Sequence, residues 1–428
     1  MTGVCPINTL QEKGNQMSRI AAHGPVMEGE RIAMWTGEFA ADPHTLYERA
    51  RARFGDLVPV ELVPGIRATL VIGYQTALRI LRDPDHFPAD PRAWQQTMPK
   101  DCPARPMLEW RANALRNSGY LHTRYREATI AALAVVDTFR LPKTIERIAI
   151  QLISFFCEVG RADLLTEYAY PLVAQTINEM LGCTTEIGRR LAAGTAAMFD
   201  AQADSVEGTQ MLTEALADLI KLKQREPGDD VTSALIAHPN ALDEEELVQQ
   251  LVTIACGVIE GQVSFITTTL LDLMVGTAFG DPLIRGETET RDALDEVLFH
   301  NPPLANLCVT YPRQPILIDD VWLPAHEPVV ISIAACNTDP AAFGAGNLIG
   351  SRAHLAWSAG VHRCPAEHIA YLIAQVAIDQ LVDALPEIRL DTTEGEPVWR
   401  PGPFHRSLTS LPVFFPSAPQ RNLPAGML

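Results

Sequence analysis

The segment that follows Asp243 limits the possible folds more than any other part of the chain, because it predicts one long helix over residues 244–277. Asp243 can cap the first turn of this helix, and Glu246 can complete a capping box three residues later. A helix of roughly 30 residues is far longer than the mean α-helix of about 12 residues. The sequence therefore predicts a fold in which helices dominate.

The same segment is a poor membrane span, because polar side chains interrupt it at Gln249, Gln250, Glu260 and Gln262. The N-terminal sequence MTGVCPINTLQEKGNQMSR lacks the apolar core of a signal peptide. The eight cysteines are widely scattered and form no C-x-x-C pair, which argues against a zinc knuckle or a thioredoxin motif. We therefore expect a cytoplasmic protein without a membrane span, whose cysteines are reduced and mostly buried.

Composition adds two constraints. The chain has 428 residues, 47% of them hydrophobic, which is enough to bury a large core. Its 52 acidic and 34 basic residues give a net charge of -18, and such a chain repels nucleic acid and anionic membranes. Solubility is the simplest explanation of this charge.

Helical periodicity predicts ten helices, at 44–54, 74–82, 122–140, 144–160, 170–182, 187–200, 208–224, 244–277, 290–299 and 366–385. Strand-like runs lie between and around them: LVPVEL and ATLVIG, which indicate a hairpin, then PILIDDVWL, PVVISIA and SLTSLPVFF. The sequence contains no internal repeat and no low-complexity linker. We expect one mostly α domain with a minor β part over residues 1–428, in which residues 1–40 form an N-terminal extension.

The centre of the long helix contains two glycines, Gly257 and Gly261, which share one face because they are four residues apart. Each glycine inside a helix costs about 1 kcal/mol relative to alanine. Two explanations are open: another helix packs closely at this face, or a flat ligand lies against it, with Glu260 and Gln262 nearby.

The sequence HLAWSAGVHRCPAEHIA, residues 354–370, places Cys364 between a glycine-containing loop and an apolar helix. Pro365 suits the first turn of a helix, so Cys364 is predicted at the N-cap, where the positive end of the helix favours a thiolate. Gly360 permits a tight loop with close backbone approach. A thiolate is a soft ligand that suits haem iron.

Three other roles of this cysteine stay open. An isolated cysteine is most often inert and buried. A zinc site could use His354, His362, Cys364 and His368, although their spacing matches no standard structural zinc pattern. A Cys364 nucleophile with His362 as its base is the third alternative.

A second group of donors lies in YLHTRYREA, where His122 and Arg126 are four apart on one helical face. Two such groups can hold the propionates of a haem by charge-assisted hydrogen bonds. The alternative is an ordinary solvated basic face. His354, ten residues before Cys364, is a third candidate donor.

The loop WSAGVHRC, residues 357–364, resembles the cysteine-ligand loop of the cytochromes P-450, F-G-x-G-x-H-x-C-x-G. The resemblance extends over nearly the whole chain. PHTLYERARARFGDLVPVELVPG is similar to the family's first helix and hairpin, HTRYR to its C helix, DEVLFHNPP to its K helix, and SLTSLPVFF to its C-terminal hairpin. The resemblance implies the cytochrome P-450 fold, with haem b (iron protoporphyrin IX) between a long central helix and the cysteine loop.

The same resemblance implies roles for single residues. Cys364 would be the axial thiolate ligand of the iron and would help O–O cleavage by donating electron density. Gly360 would let the loop pass close to the ring. The other residues expected to contact the haem are His122, Arg126, Gly257, Gly261, His354 and His362.

The chain departs from the family pattern near its K helix. The motif E-x-x-R reads EVLF at residues 296–299, so Phe299 replaces the arginine that normally pairs with the glutamate. The second arginine of the family, in the meander, is also missing, and Asn347 or Leu348 lies near its place. Arg352 is a candidate substitute for it.

The central helix departs as well. Glu260 matches the acid of the family's acid–threonine pair, but Gly261 stands where the threonine would be. The hydroxyl that helps to protonate bound oxygen is therefore missing, and Gln262, a substrate hydroxyl or an ordered water would have to relay protons instead. Within the cysteine loop the substitutions are Trp357 for Phe, Ser358 for Gly and Ala366 for the final Gly.

Three functional hypotheses follow. The leading one is a haem-thiolate monooxygenase that inserts one atom of O2 into a small organic substrate, with electrons from a ferredoxin or similar donor. A local basic patch would dock that donor, formed by Arg111, Arg116, Arg124, Arg352 and Arg363. The pocket walls are expected in FPADPRAWQQTMPKDCPARPM, at Cys256 to Glu260 and at Leu408 to Ser410, which favours a substrate of moderate polarity.

The second hypothesis is a haem protein with weak or no monooxygenase activity. Loss of the E-x-x-R arginine with retention of the cysteine loop resembles an atypical actinobacterial group, often encoded beside a small GTPase and a sensor-kinase-like protein. That resemblance implies a sensor or a partner in a GTPase-linked signalling complex. The third hypothesis is a metal-free hydrolase that uses Cys364 and His362.

Overall fold

The computed structural model describes residues 30–420, except 101, 103, 200–204, 276–288, 345–350 and 394. Its α-helices are α1 (Gly37–Ala41), α2 (Pro43–Phe54), α3 (Tyr74–Leu81), α4 (Arg105–Leu108), α5 (Gly119–Leu133), α6 (Leu141–Phe156), α7 (Tyr170–Leu181), α8 (Thr185–Phe199), α9 (Ser205–Arg225), α10 (Val231–Ala237), α11 (Glu244–Met274), α12 (Thr290–His300), α13 (Ile333–Asn337), α14 (Pro340–Phe343) and α15 (Glu367–Ala384). Its strands are β1 (Ile32–Ala33), β2 (Leu57–Val63), β3 (Ile66–Val71), β4 (Arg161–Asp163), β5 (Val309–Thr310), β6 (Ile316–Ile318), β7 (Val321–Leu323), β8 (Val329–Ile331), β9 (Arg389–Leu390) and β10 (Pro412–Phe414). The predicted mostly α fold with a minor β part is confirmed.

Each of the ten predicted helices has a counterpart, and the differences lie at the ends. The helix predicted over 122–140 is α5, which ends at Leu133. The chain turns at Asp137, whose Oδ1 accepts the backbone N–H groups of Phe139 at 2.9 Å and Arg140 at 3.1 Å. This local side-chain turn competes with the helix and separates α5 from α6.

The strands form three sheets. The largest has the order β1-β2-β3-β8-β5, and β2 and β3 are the predicted hairpin, with Val60 opposite Ala68. β3 pairs with β8 in parallel, which connects the N-terminal hairpin to the chain near residue 330. In the second sheet β10 lies between β4 and β9, and β6 with β7 forms the third. β1 pairs with β2, so this part of the predicted N-terminal extension belongs to the sheet, while residues 1–29 lie outside the described residues.

The long helix α11 crosses the main core. Both bonds of its capping box are present, since the N–H of Glu246 donates to Asp243 Oδ1 and the N–H of Asp243 to Glu246 Oε2, each at 2.9 Å. It contacts α7, α9, α12 and α15. Of the helices in the described ranges it alone has the length and hydropathy of a membrane span, but 78% of its apolar window is buried inside the fold. It is a core helix, in agreement with the polar residues that interrupt it.

Two contacts fix the loop that precedes α15. Its single 3-10 turn, Gly360–His362, packs on α3. Buried Asn337 in α13 connects the loop to α12. The amide nitrogen of Asn337 donates to the carbonyl of Leu298 in α12 at 2.8 Å, and its amide oxygen accepts the N–H of Leu355 in the loop at 2.7 Å. The loop is therefore held against α3 and α12.

Candidate functional site

Cys364 lies in a tight turn directly before α15. Its backbone N–H donates to the carbonyl of Trp357 at 2.8 Å, which closes the loop on itself. The prediction that Cys364 is the N-cap was wrong: α15 begins at Glu367 and its N-cap is Ala366, because Pro365 and Ala366 form a turn ahead of the helix. The N–H of Ala366 nevertheless hydrogen-bonds the sulfur.

The electrostatics around this cysteine argue against a free nucleophile. Burial raises the pKa of the Cys364 thiol, although the Ala366 N–H and Arg126 act in the opposite direction. Burial, His122 and Arg126 together lower the pKa of His362 to about 3, which makes its imidazole a weak base. A thiol with a raised pKa and a weak neighbouring base do not form an activated Cys–His pair.

A zinc site is not supported either. Among the residues that the structure describes, no group of three or more His, Cys, Asp or Glu side chains is arranged to hold a metal ion. His368 is exposed on α15, and His354 packs elsewhere. All seven described cysteines are free thiols.

His122 and His362 come together, as expected for residues that hold one ligand. Their ring centroids are 4.3 Å apart, and the Nε2 atom of each is buried without a hydrogen-bond partner. Arg126, half-buried on the same face of α5, donates to the carbonyl of Arg363. Buried polar atoms without partners cost about 1–3 kcal/mol each, so two adjacent ones indicate that a polar group of a ligand binds here. The carboxylates of a haem fit this donor set.

Two further buried polar side chains interact with this group: Arg116, which we expected in a docking patch, and Tyr311, which the sequence did not indicate. The hydroxyl of Tyr311 is buried without a hydrogen-bond partner. Burial raises the pKa of Tyr311, and the charge of Arg116 acts in the opposite direction. Arg116 is only 5% exposed and also lowers the pKa of His362. No spacing pattern signals these two residues, because they come from separate segments that only the fold brings together.

His354, in contrast, is not brought to this group by any described contact. Its ring packs on Phe299, with centroids 5.2 Å apart, and its Nε2 lies 3.5 Å from the Tyr371 hydroxyl. Its Nδ1 is buried without a hydrogen-bond partner, as is the Nε2 of His122, so its role as a propionate donor stays a prediction.

The glycine face of α11 opens on free space. A Cβ atom at Gly257 would meet nothing within 4 Å, and one at Gly261 would meet only Leu304 Cγ at 4.0 Å. Close packing of another helix, the first explanation for these glycines, is therefore wrong. Gly261 is four residues before Phe265, whose ring packs on Trp357 of the cysteine loop at 6.2 Å. The open face is thus directed toward that loop, as a flat ligand between the two would require.

The two residues predicted as catalytic are held by other parts of the chain. Glu260 forms an ion pair with Arg400 and accepts a hydrogen bond from Ser407 Oγ at 3.0 Å. Gln262 is 3% exposed, and its amide nitrogen donates to the carbonyl of Ala370 in α15 at 2.9 Å. This bond engages Gln262 between two helices, which disfavours a relay of protons through its amide N–H.

Gly360 is required by the neighbouring helix. Its φ is +68°, and a Cβ atom there would lie 2.1 Å from the carbonyl oxygen of Leu81 in α3. Ser358, which replaces a family glycine, also has a left-handed backbone with φ of 60°. The loop therefore contains one glycine that the fold needs and one serine in a strained conformation.

The predicted basic patch does not form. Arg116 is buried, Arg124 is bound by both carboxylate oxygens of Glu246, and Arg111 lies mostly buried beside Glu109. Arg352 and Arg363 stay exposed, and each forms an ion pair. Burial decides this outcome, and the spacing of the arginines does not reveal it. Asn347 and Leu348, near the place of the missing meander arginine, lie outside the described residues.

Comparison with known proteins shows similarity along nearly the full chain. No family model matches the chain. It is 28% identical over 391 residues to the cytochrome P450 monooxygenase PikC of Streptomyces venezuelae, covering 88% of this chain and 92% of the relative. It is 25% identical over 394 residues to the vitamin D(3) 25-hydroxylase of Pseudonocardia autotrophica, covering 90% and 96% of the two chains.

Solved structures agree with these relatives. CYP154C4 from Streptomyces sp. W2061 superposes with a TM-score of 0.81 at 26% identity, covering 90% of this chain and 98% of that one. The tirandamycin C-bound P450 monooxygenase TamI superposes with a TM-score of 0.79 at 26% identity, covering 90% and 100%. Proteins of this kind use haem b, and the unpartnered donors beside Cys364 suit that group. We conclude that this chain belongs to the cytochrome P-450 superfamily.

Proposed function

We propose that this protein is a haem-thiolate monooxygenase that inserts one oxygen atom from O2 into a small organic substrate. One observation carries the proposal: the open glycine face of α11 is directed toward the cysteine loop, beside buried donors that lack partners. Named relatives of similar length are monooxygenases and hydroxylases, which supports the same reaction class. We propose that it acts in the cytoplasm, where free thiols such as those of its described cysteines stay reduced.

We assign separate roles to the residues that would surround the haem. Haem, when bound, supplies the iron at which O2 is reduced. Cys364 would hold the iron through its sulfur, and the N–H of Ala366 stabilises the charge on that sulfur. His122, Arg126 and His362 would bind the carboxylates of the ring, with Arg116 and Tyr311 as further donors.

Proton supply differs from the family pattern. Gly261 offers no hydroxyl, and the space beside it is open. We propose that an ordered water or a hydroxyl of the substrate occupies that space and donates the proton there. Glu260 is the adjacent carboxylate, and its partner Arg400 is partly exposed, so the pair connects the middle of α11 with solvent.

The substrate class follows from the walls of the open space and from the relatives. Val258 and Leu304 provide apolar surface beside Gly261. Relatives are named for mycinamicin IV, 6-deoxyerythronolide B and vitamin D(3). We propose a bulky, mostly apolar substrate that carries a few hydroxyl groups.

Electrons would come from a ferredoxin-type donor that docks beside Cys364. The surface there has a cavity of about 370 Å³, lined in part by Arg291, Cys364 and His368. Arg363 and Val361 are exposed at its loop side. An acidic group of the donor would replace Glu367, the present ion-pair partner of Arg363, at this surface.

The experiment is turnover by the full chain with a ferredoxin, its reductase and O2, against a panel of macrolides and sterols. We expect a spin-state shift when a substrate binds and a product heavier by one oxygen atom. Absence of any oxidised product, with reduced protein that still binds carbon monoxide, would contradict the monooxygenase.

Carbon monoxide binding without any oxidised product would support the alternative, a haem protein that acts as a sensor or as a partner in a GTPase-linked signalling complex. Gly261 is the observation that favours the alternative, because the hydroxyl of the family is absent there. A purification partner with GTPase activity, bound only by the haem-loaded form, would be the expected finding in that case.

A further inference from the structure

The carboxylate of Asp295 in α12 is the centre of a buried polar cluster. Asp295 is 2% exposed, and its Oδ1 accepts a hydrogen bond from the hydroxyl of Tyr371 in α15. Its Oδ2 lies 3.3 Å from Nε of Arg352, and Arg291 Nε lies 3.8 Å from Oδ1. The guanidinium of Arg291 stacks on the Tyr371 ring at 3.3 Å from its centroid. We call these four residues the Asp295 cluster.

The neighbouring residue Glu296, which occupies the motif position of the family, is arranged differently. Its carboxylate pairs with His300 of the same helix at 3.1 Å, and its side chain is 28% exposed. Phe299, in the place of the motif arginine, packs on Phe343 and His354, with centroids 5.7 and 5.2 Å away. The usual glutamate–arginine pair is therefore absent from α12, while a buried carboxylate one residue earlier accepts hydrogen bonds from Tyr371 and Arg352 and forms an ion pair with Arg291.

The Asp295 cluster contacts the chain that leads into Cys364. Arg352 itself belongs to that chain. The Tyr371 hydroxyl lies 3.5 Å from His354 Nε2, and its ring packs on Trp357 at 5.5 Å. The carbonyl of Trp357 accepts the N–H of Cys364 at 2.8 Å. Three successive contacts thus connect the buried carboxylate with the backbone of the ligand residue: Asp295 with Tyr371, Tyr371 with Trp357, and Trp357 with Cys364.

We propose that the Asp295 cluster positions the Cys364 loop and replaces the missing E-x-x-R pair. A buried carboxylate that binds a tyrosine and two arginines fixes three chain segments at once: α12, α15 and the loop from residue 352. Asp295, Arg352 and Tyr371 are in this sense positioning residues. The inference rests on the proposed haem binding, but it does not require turnover.

The test compares two adjacent isosteric substitutions in the holoprotein, Asp295→Asn and Glu296→Gln. The readout is the share of the thiolate-type band in the carbon monoxide difference spectrum, measured without substrate or electron-donor protein. We expect Asp295→Asn to lower that share at least fivefold and Glu296→Gln to change it less than twofold. Equal effects of the two substitutions, or none from Asp295→Asn, would overturn the proposal.

Milder variants decide the matter if Asp295→Asn does not fold. Tyr371→Phe removes one hydroxyl, and Arg352→Met removes an exposed guanidinium that reaches Asp295. Both should lower the thiolate share about twofold or more with unchanged circular dichroism, and Arg352→Lys should restore part of it. Hydrogen exchange over residues 354–364 should be faster in both variants. Unchanged spectra and exchange in both would refute the cluster's role.

If the wild type binds no haem at all, the proposed function fails rather than this inference alone. If the wild type shows the thiolate band but never oxidises a substrate, the comparison of Asp295→Asn with Glu296→Gln still stands. The two failures are therefore distinguishable.

Discussion

The cysteine loop and the turn of α11 that faces it differ in how many residues of the cytochrome P-450 motifs they retain. The loop retains Gly360, His362 and Cys364 in the family order, and buried donors without partners lie beside it. The turn of α11 retains the acid, Glu260, but has Gly261 in place of a hydroxyl. Under the proposed function the comparison separates two requirements: holding a cofactor, which is assigned to the loop, and delivering protons to oxygen, which is assigned to the helix.

The largest effect is expected on the loop. Gly360→Ala combines a left-handed backbone with a Cβ that would lie 2.1 Å from the Leu81 carbonyl oxygen. We expect the free energy of unfolding of the holoprotein to fall by roughly 2–4 kcal/mol, with loss of haem. Chemical denaturation followed by haem absorbance measures both.

The control for this prediction is Gly65→Ala, in the β2–β3 turn. Gly65 has a similar φ of +81°, but its Cβ would meet nothing within 4 Å. The free energy of unfolding of Gly65→Ala should fall by only about 1 kcal/mol, the cost of the backbone conformation alone. An equal loss in both variants would show that the contact with α3 is unimportant.

The donors beside the loop are expected to have the next largest effect. His122→Ala and Arg126→Met each remove a charged or polar partner of a carboxylate, worth about 1.5–3 kcal/mol. Hemin affinity should therefore fall about tenfold or more in each variant, as measured by titration of the haem-free protein. Thr123→Ala, an exposed position on the same helix, should leave affinity unchanged. Unchanged affinity in both donor variants would separate these residues from the cofactor.

A substitution at Gly261 in α11 should change activity without changing haem content. Gly261→Thr restores a hydroxyl, and its Cβ has room because Leu304 Cγ is 4.0 Å away. We expect product formed per electron consumed to rise about tenfold, which is below the 10²–10⁴-fold that a well-positioned proton donor typically contributes. Gly261→Val has similar shape without a hydroxyl and should give no gain. A gain in both, or in neither, would mean that proton supply does not limit turnover.

The smallest expected effect is a gain in stability within the loop. Ser358 has φ of 60°, where glycine has no steric penalty. Ser358→Gly should stabilise the holoprotein by about 0.5–1 kcal/mol. Ala359→Gly, at a residue with φ of -141°, should instead destabilise it. Urea denaturation measures both changes in stability. If Ser358→Gly were less stable than Ala359→Gly, Ser358 would not be strained.

Local patterns in the sequence predicted the parts of the structure that local physics controls. Asp243 and Glu246 signalled the start of α11, and the glycines of its centre left two explanations open, of which the structure supports the open face. The Asp295 cluster was beyond such patterns, because Arg352 and Tyr371 lie 57 and 76 residues from Asp295. Such a cluster depends on tertiary packing.

Burial, a local turn and a hydrogen bond explain the other differences. Arg116 was expected on a docking surface and instead lies inside the site, since an arginine's exposure is not encoded by its neighbours. Cys364 was expected at a helix N-cap, but the turn at Pro365 and Ala366 delays the helix. Gln262 was expected to relay protons, but it is held by the carbonyl of Ala370.

The central claim is that the sulfur of Cys364 binds haem iron. A carbon monoxide difference spectrum of the reduced full chain tests it most directly, with Cys364→Ser as the decisive variant and Cys256→Ser, a buried cysteine of α11, as the matched control. We predict a thiolate-type band in the wild type and in Cys256→Ser, and its complete loss in Cys364→Ser. A thiolate band that survives in Cys364→Ser, or a wild-type protein that takes up no hemin, would contradict the account.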